Sequence, residues 1–205
     1  MTEQADFWAS DFGSDYIDRN SSSKLLSSNI HLFANVLSNV SALPQSIFEF
    51  GCNIGLNLDA LRLLVPGATT SGIDVNVKAA EIAKSKGHEV SRTSIEDFSH
   101  SNQYEFVMTK GVLIHLDPSS LLETYGKIAQ LSSMNVFICE YFSDTPKEVE
   151  YRGHRGKLFK RDFALEFSRA GGSDFRKVAE GFASKSSLFP QDDMTWALFE
   201  RVSDS

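Results

Sequence analysis

From Ser46 onward, short apolar runs alternate with stretches whose apolar residues recur at helical spacing, and that alternation leaves few folds open. Strands separated by helical crossovers pair in parallel, and a parallel sheet needs helices over both of its faces. The expected order is strand Ser46 to Phe50, helix Asn57 to Val65, strand Thr69 to Asp74, helix Ala79 to Lys86 and strand Glu89 to Arg92. A fourth strand, Tyr104 to Thr109, follows. Asp117-Pro118 then supplies an N-cap and a first-turn proline for a helix whose buried stripe is Leu121, Leu122, Tyr125, Ile128 and Ala129. Asn135 to Glu140 is the fifth strand, Lys160 to Ala170 a helix, and Phe175 to Phe182 and Met194 to Val202 a terminal strand pair. The fold class is α/β, a doubly wound Rossmann-like layout with a mostly parallel seven-stranded sheet and an antiparallel last strand. Its cleft lies beyond the carboxyl ends of the parallel strands.

The 205 residues, 41% of them apolar, suit one domain with one substantial core. Within it, residues 1–41 read as an N-terminal helical lid, 46–140 as the cofactor-binding core, 141–159 as an irregular substrate-loop insertion and 160–205 as the closing helix and strand pair. The Ser-rich stretch Ser21 to Ser28 is no linker, because Leu25, Leu26, Ile30, Phe33 and Leu37 run through it at helical spacing. A net charge of −7 argues against a broad nucleic-acid surface. No apolar run approaches the roughly 18 residues of a membrane span. Cys52 and Cys139 form no paired motif, so a reducing cytoplasm is the expected compartment.

Glu49-x-Gly51-x-x-x-Gly55 closes the first strand and opens the first helix, where glycines let backbone N–H groups approach a ligand. A pyrophosphate site spaces its glycines as GxGxxG, but here Asn53 replaces the second glycine and Gly55 falls one residue late. That spacing suits a ligand without phosphates, such as S-adenosylmethionine (SAM). Asp74, 19 residues beyond Gly55 at the end of the second strand, is placed to accept both hydroxyls of a ribose. After the third strand, Ile95 offers a face to an adenine, and Ser94 or a neighbouring backbone group offers a partner to its amine.

The segment Phe48-Glu49-Phe50-Gly51-Cys52-Asn53-Ile54-Gly55-Leu56-Asn57 with Gly72-Ile73-Asp74 resembles motifs I and II of the class I SAM-dependent methyltransferases. More narrowly, Phe7-Trp8 to Asn20, the glycine turn, Tyr151-Arg152-Gly153-His154 through Phe163, and Phe189 to Trp196 resemble the methylases associated with pseudaminic acid biosynthesis. The resemblance covers nearly the whole chain. It implies that Glu49, Gly51 and Asn53 line the methionine end of SAM and that Asp74 holds its ribose. Ser94 departs from the pattern, since many class I enzymes carry an acid there. The expected cofactor set is completed by Cys52, Gly55, Asn57, Val75, Ile95 and Lys110, with Tyr16 and Arg19 of the lid reaching the SAM carboxylate.

Two segments point to the acceptor. His115 follows the fourth strand at the cleft mouth, where it either takes a proton from an acceptor or merely hydrogen-bonds a loop carbonyl. Between Lys147 and Arg161, six basic residues stand against two acidic ones, which favours an anionic partner. Tyr151 and His154 join His115 as catalytic candidates; Arg152, Lys160, Glu140 and Tyr141 are the acceptor contacts. Phe189 to Trp196 closes one wall, with Trp196 in the core. No HExxH, EF-hand or paired-Cys pattern appears, so no metal is expected. The reading is an enzyme, monomer or homodimer, that methylates O or N of a small, anionic, sugar-like acceptor made for surface glycans, with no nucleic-acid or membrane partner. Its rivals are a methyltransferase of another small-molecule or natural-product pathway and a non-catalytic nucleoside-binding regulatory module.

Overall fold

A computed structural model describes residues 2–10, 23–99, 101–170 and 174–202. Tyr16 and Arg19, expected on the cofactor, lie outside the described residues, as do Phe12 and Asn20.

Two helices precede the sheet, α1 (Glu3–Ala9) and α2 (Ser23–Leu37). There follow β1 (Ser46–Phe50), α3 (Leu56–Leu64), β2 (Thr69–Asp74), α4 (Val77–Ser85), β3 (Glu89–Arg92), β4 (Tyr104–Lys110), α5 (Leu121–Leu131) and β5 (Ser132–Glu140). A short pair, β6 (Lys147–Glu148) and β7 (Phe159–Lys160), leads to α6 (Phe163–Ala170), β8 (Phe175–Ala183) and β9 (Met194–Arg201). Among the described residues the main sheet runs β3-β2-β1-β4-β5-β9-β8, with β9 antiparallel to both of its neighbours. The order reverses between β1 and β4, which is where an open α/β sheet opens its crevice.

Burial on both faces explains why the central strands read as continuous apolar runs. Phe48, Phe50, Val107, Val136 and Ile138 face a core completed by α5 and α6. Ile47, Phe106, Met108, Phe137 and Cys139 face the opposite core, under α2, α3 and α4. None of the helices among the described residues is long and apolar enough to cross a membrane.

The segment 141–159, expected to be irregular, is organised as a β-hairpin. Lys147 pairs with Lys160 and Glu148 with Phe159, and the Val149 N–H donates to the Leu158 carbonyl at 2.8 Å. At the tip, Tyr151 and His154 exchange backbone hydrogen bonds of 2.8 and 2.9 Å. The two residues between them, Arg152 (φ 51°) and Gly153 (φ 83°), are both left-handed, as a type I′ turn requires. The helix expected from Lys160 therefore starts later, at Phe163, because Phe159 and Lys160 belong to the hairpin.

Candidate functional site

The glycine turn is built by left-handed residues. Gly51 (φ 66°), Asn53 (φ 47°) and Gly55 (φ 76°) alternate with ordinary ones, which folds the chain tightly between β1 and α3. A Cβ on Gly51 would lie 2.6 Å from Val112 Cγ2, and one on Gly55 would lie 2.7 Å from the His88 ring. Both positions therefore require glycine on two counts, conformation and space. Asn tolerates the left-handed region, so the departure at Asn53 leaves the turn intact.

Asp74 ties the turn to the second strand. Its Oδ2 accepts from the Asn53 N–H and its Oδ1 from the Asn76 N–H, both at 2.8 Å. Burial raises its pKa, and the N–H groups of Asn76, Asn53 and Val75 pull it back. Glu49 sits beneath, fully buried, with Oε1 accepting from Asn57 Nδ2 at 2.6 Å. Burial pushes its pKa up to about 8, against the lowering pull of Asn57 and Lys110, while Asp74 adds to the rise. Three buried acceptor atoms at this turn, Glu49 Oε2, Asn53 Oδ1 and Asn57 Oδ1, have no hydrogen-bond partner among the described residues. Such orphans are costly unless a ligand donates to them.

A charged brace supports the turn from behind. Asp59 receives Lys86 Nζ at 2.8 Å, His88 Nε2 at 3.0 Å and Arg62 at 3.2 Å. Lys86 also donates to the Ile54 carbonyl at 2.7 Å. A carboxylate only accepts, so His88 carries its proton on Nε2 and takes the Thr70 hydroxyl on Nδ1 at 2.8 Å. Burial lowers the His88 pKa, which keeps the ring neutral near neutrality.

Above the carboxyl ends of the strands lies a cavity of about 700 Å³. Of the expected cofactor residues, Gly51, Cys52, Asn53, Asn57, Asp74, Val75, Ser94, Ile95 and Lys110 line it. Glu49 and Gly55 lie behind the lining. The Ser94 hydroxyl is engaged by Asp97, donating to its carboxylate at 3.0 Å and accepting from its N–H at 3.1 Å. One lone pair of that hydroxyl is left over.

The acceptor candidates divide. His115, Tyr151, Arg152 and Tyr141 line the cavity. Glu140, expected on the acceptor, does not: its Oε1 accepts from the N–H groups of Val112 and Leu113 at 3.0 Å each, so the carboxylate caps the turn that carries His115. Burial lifts its pKa to about 7 against these donors. Lys160 also stands away from the cavity, with its ammonium 5.2 Å from the centre of the Tyr141 ring. His154 is exposed on the outer side of the hairpin turn, its ring 5.0 Å from Phe7. His115 makes the expected bond to a loop carbonyl and also stands at the cavity. Nδ1 donates to the Lys157 carbonyl at 2.7 Å while the ring borders the cavity, and burial pushes its pKa down to about 4.

Helix α1 covers the cavity with Gln4, Ala5 and Trp8. Glu3 pairs with Lys157 at 2.7 Å, and Asn76 Nδ2 donates to the Trp8 carbonyl at 3.3 Å, so both the hairpin and the second strand's turn hold it down. The opposite wall comes from α2 and from the turn between β8 and β9. Gln191 donates to Asn29 at 2.8 Å, and Tyr141 donates to Asp192 at 2.6 Å. The sequence pointed to the wall at Phe189 to Trp196 but not to Asn29, a polar residue on the buried side of a helix whose partner lies 162 residues away. Trp196, expected in the core, packs on Phe137 with ring centres 6.2 Å apart and does not line the cavity.

No family model matches the sequence, and neither does any curated protein. Solved structures do. The magnesium protoporphyrin IX methyltransferase of Synechocystis PCC 6803, with bound SAM, superposes with a TM-score of 0.69 at 14% identity over 98% of each chain. The fold is that of the class I methyltransferases. The 1,6-didemethyltoxoflavin-N1-methyltransferase of Burkholderia thailandensis, with its named substrate and S-adenosylhomocysteine (SAH) bound, gives a TM-score of 0.71 at 17% identity over 98% of this chain and 90% of that one. A plantazolicin methyltransferase in complex with SAH gives 0.68 at 16% identity, over 98% and 94%.

Proposed function

We propose that the protein binds SAM at the glycine turn and transfers its methyl group to O or N of a small anionic acceptor. The observation that carries this reading is the trio of orphaned acceptors, Glu49 Oε2, Asn53 Oδ1 and Asn57 Oδ1. A pyrophosphate brings only acceptors of its own and would leave the two Asn oxygens unsatisfied, whereas the ammonium of an amino-acid moiety brings three donors, enough for them and for an ionised Glu49. The fit extends along the cavity. Lys110, with no carboxylate in ion-pair range among the described residues, would face the amino acid's carboxylate; Asp74 keeps a lone pair on each oxygen for ribose hydroxyls; Ile95 offers an apolar face to the base.

Bound SAM supplies an activated methyl group, the carbon–sulfur pair returning to sulfur as the acceptor's lone pair takes the carbon. The chain's part is to hold the reacting groups in line, worth up to about 7–11 kcal/mol in well-oriented systems. Because the Lys157 carbonyl can only accept, His115 carries its proton on Nδ1 and leaves Nε2 to receive the one released by the acceptor. Helix α1 excludes water from the site. The structural neighbours are named for acceptors as different as magnesium protoporphyrin IX and plantazolicin, while the basic hairpin favours an acid. Against the sugar acid that the resemblance to pseudaminic acid-associated methylases implies stands the aromatic end of the cavity, where the rings of Trp8, His115 and Tyr151 meet.

Titration calorimetry with SAH and with NAD tests the ligand. SAH is expected to bind and NAD to give no heat; the reverse would sink the reading. The brace offers a second check. Lys86→Met removes the bond to the Ile54 carbonyl together with the Asp59 pair, and SAM affinity is expected to fall about tenfold, the scale of one charged hydrogen bond. Lys86→Arg should recover part of it. An unchanged dissociation constant in the Met variant would mean that the turn holds its shape unaided.

A further inference from the structure

We propose that the acceptor is a flat ring acid, stacked on Trp8 and Tyr151, gripped through its anionic group by Arg152, and donating its reacting N–H or O–H to His115 Nε2. The inference rests on the SAM reading and assigns the substrate class of that site.

Three separate elements bring aromatic rings together at one end of the cavity. Trp8 comes from α1, His115 from the turn after β4 and Tyr151 from the hairpin. The ring centres of Trp8 and His115 are 4.4 Å apart, those of His115 and Tyr151 5.3 Å, and those of Trp8 and Tyr151 6.2 Å. All three residues border the cavity. A platform of this kind rewards a ligand with a broad flat face.

Arg152 stands at the rim beside it, and its backbone is the telling feature. A type I′ turn selects Asn, Asp or Gly at this position, yet the chain holds an arginine at φ 51°. Backbone strain of this kind persists where the side chain serves a purpose. The guanidinium lies 5.8 Å from the centre of the Tyr151 ring and makes no ion pair with any carboxylate among the described residues. A fixed cation that lies beside an aromatic platform, with no ion-paired carboxylate among the described residues, fits an anionic ring substituent.

The opposite wall is polar. A sugar offers no flat face to the aromatic rings, and the polar groups of that wall are in part committed to one another. Gln191 is tied to Asn29, Tyr141 to Asp192, and Lys185 approaches Asp192 at 3.5 Å. His115 Nε2, whose tautomer is fixed from behind by the Lys157 carbonyl, is an acceptor on the platform side.

The test is titration of the SAH-saturated full chain with salicylate and anthranilate, with their uncharged amides, and with glucuronate. The ring acids are expected to bind at least about tenfold more tightly than the amides, the scale of one charge-assisted contact, and glucuronate is expected to bind no better than the amides. Arg152→Asn suits the turn, so the fold should be kept; it should bring the acids down to the level of the amides while SAH affinity stays put. Acids and amides binding alike, or not at all, overturn the proposal, as does tighter binding of glucuronate. A loss of SAH affinity in Arg152→Asn overturns it too, since the aromatic end would then hold the nucleobase. Failure of the native chain to bind SAH removes the cofactor reading itself, and is scored before any acid is added.

Discussion

Replacing Asp74 with Ala is expected to weaken SAM binding at least a hundredfold and to lower the melting temperature as well. The side chain's two oxygens each accept a backbone N–H at 2.8 Å, one from Asn53 inside the glycine turn and one from Asn76 at the cap of α4. Hydrogen bonds to a charged acceptor contribute about 1.5–3 kcal/mol each, so their joint loss alone reaches the hundredfold range if the turn must be rebuilt on binding. The proposed ribose contacts would add to this. Asp74→Asn separates the two roles. An amide retains one accepting oxygen but turns an NH₂ group toward the second backbone donor, so the turn should be held at one end only and affinity should fall between wild type and Ala. Calorimetry with SAH gives the dissociation constants, and thermal melts of the free protein give the structural share. An Ala variant that binds SAH like the native chain would remove Asp74 from the site.

Why Asp74 and the turn were legible in the sequence, and much of the acceptor side was not, comes down to where each residue's partners lie. The turn and Asp74 sit at strand ends whose positions follow from local apolar periodicity, and their spacing is fixed by one helix of known rise. The central strands β1, β4 and β5 were readable for the same reason, each being apolar on both faces. The β6–β7 hairpin escaped because two-residue strands carry no alternation, and because its turn holds Arg152 where Asn would have announced it. Glu140 looked like a cavity residue because it ends a strand. Only the folded chain brings the N–H groups of Val112 and Leu113 within 3.0 Å of it, which turns a presumed contact into a support for His115. Lys160 follows the same rule, seated over Tyr141. Local pattern reveals which residues reach a region, while competition among neighbours decides which of them remain available to a ligand.

Glu49 illustrates that competition and yields the second large effect, a SAH affinity that climbs with pH. Burial holds its pKa at about 8, against 4.5 in an exposed chain, so the native protein binds more protons than the unfolded one across that window. The stability contributed by the protonated carboxyl is therefore full below about pH 4.5 and declines as pH rises through about 8. An ammonium seated among Glu49 Oε2, Asn53 Oδ1 and Asn57 Oδ1 reverses the preference, since a nearby cation favours the ionised acid. Binding then expels a proton wherever the free protein holds one. Affinity should rise by up to about tenfold per pH unit between about pH 6 and 8 and level off above, the slope that linkage sets for one proton. Calorimetry at pH 7 in buffers of different ionisation enthalpy should register that proton directly. Glu140, held at about 7, titrates in the same range, but it contacts the backbone of Val112 and Leu113 rather than the glycine turn. Glu49→Gln isolates the source: it keeps a partner for Asn57, cannot ionise, and should flatten the profile at the level of the protonated native protein. A dissociation constant that stays level from pH 6 to 8 in the native chain, or an equal slope in the Gln variant, would mean that no ligand cation reaches this carboxylate.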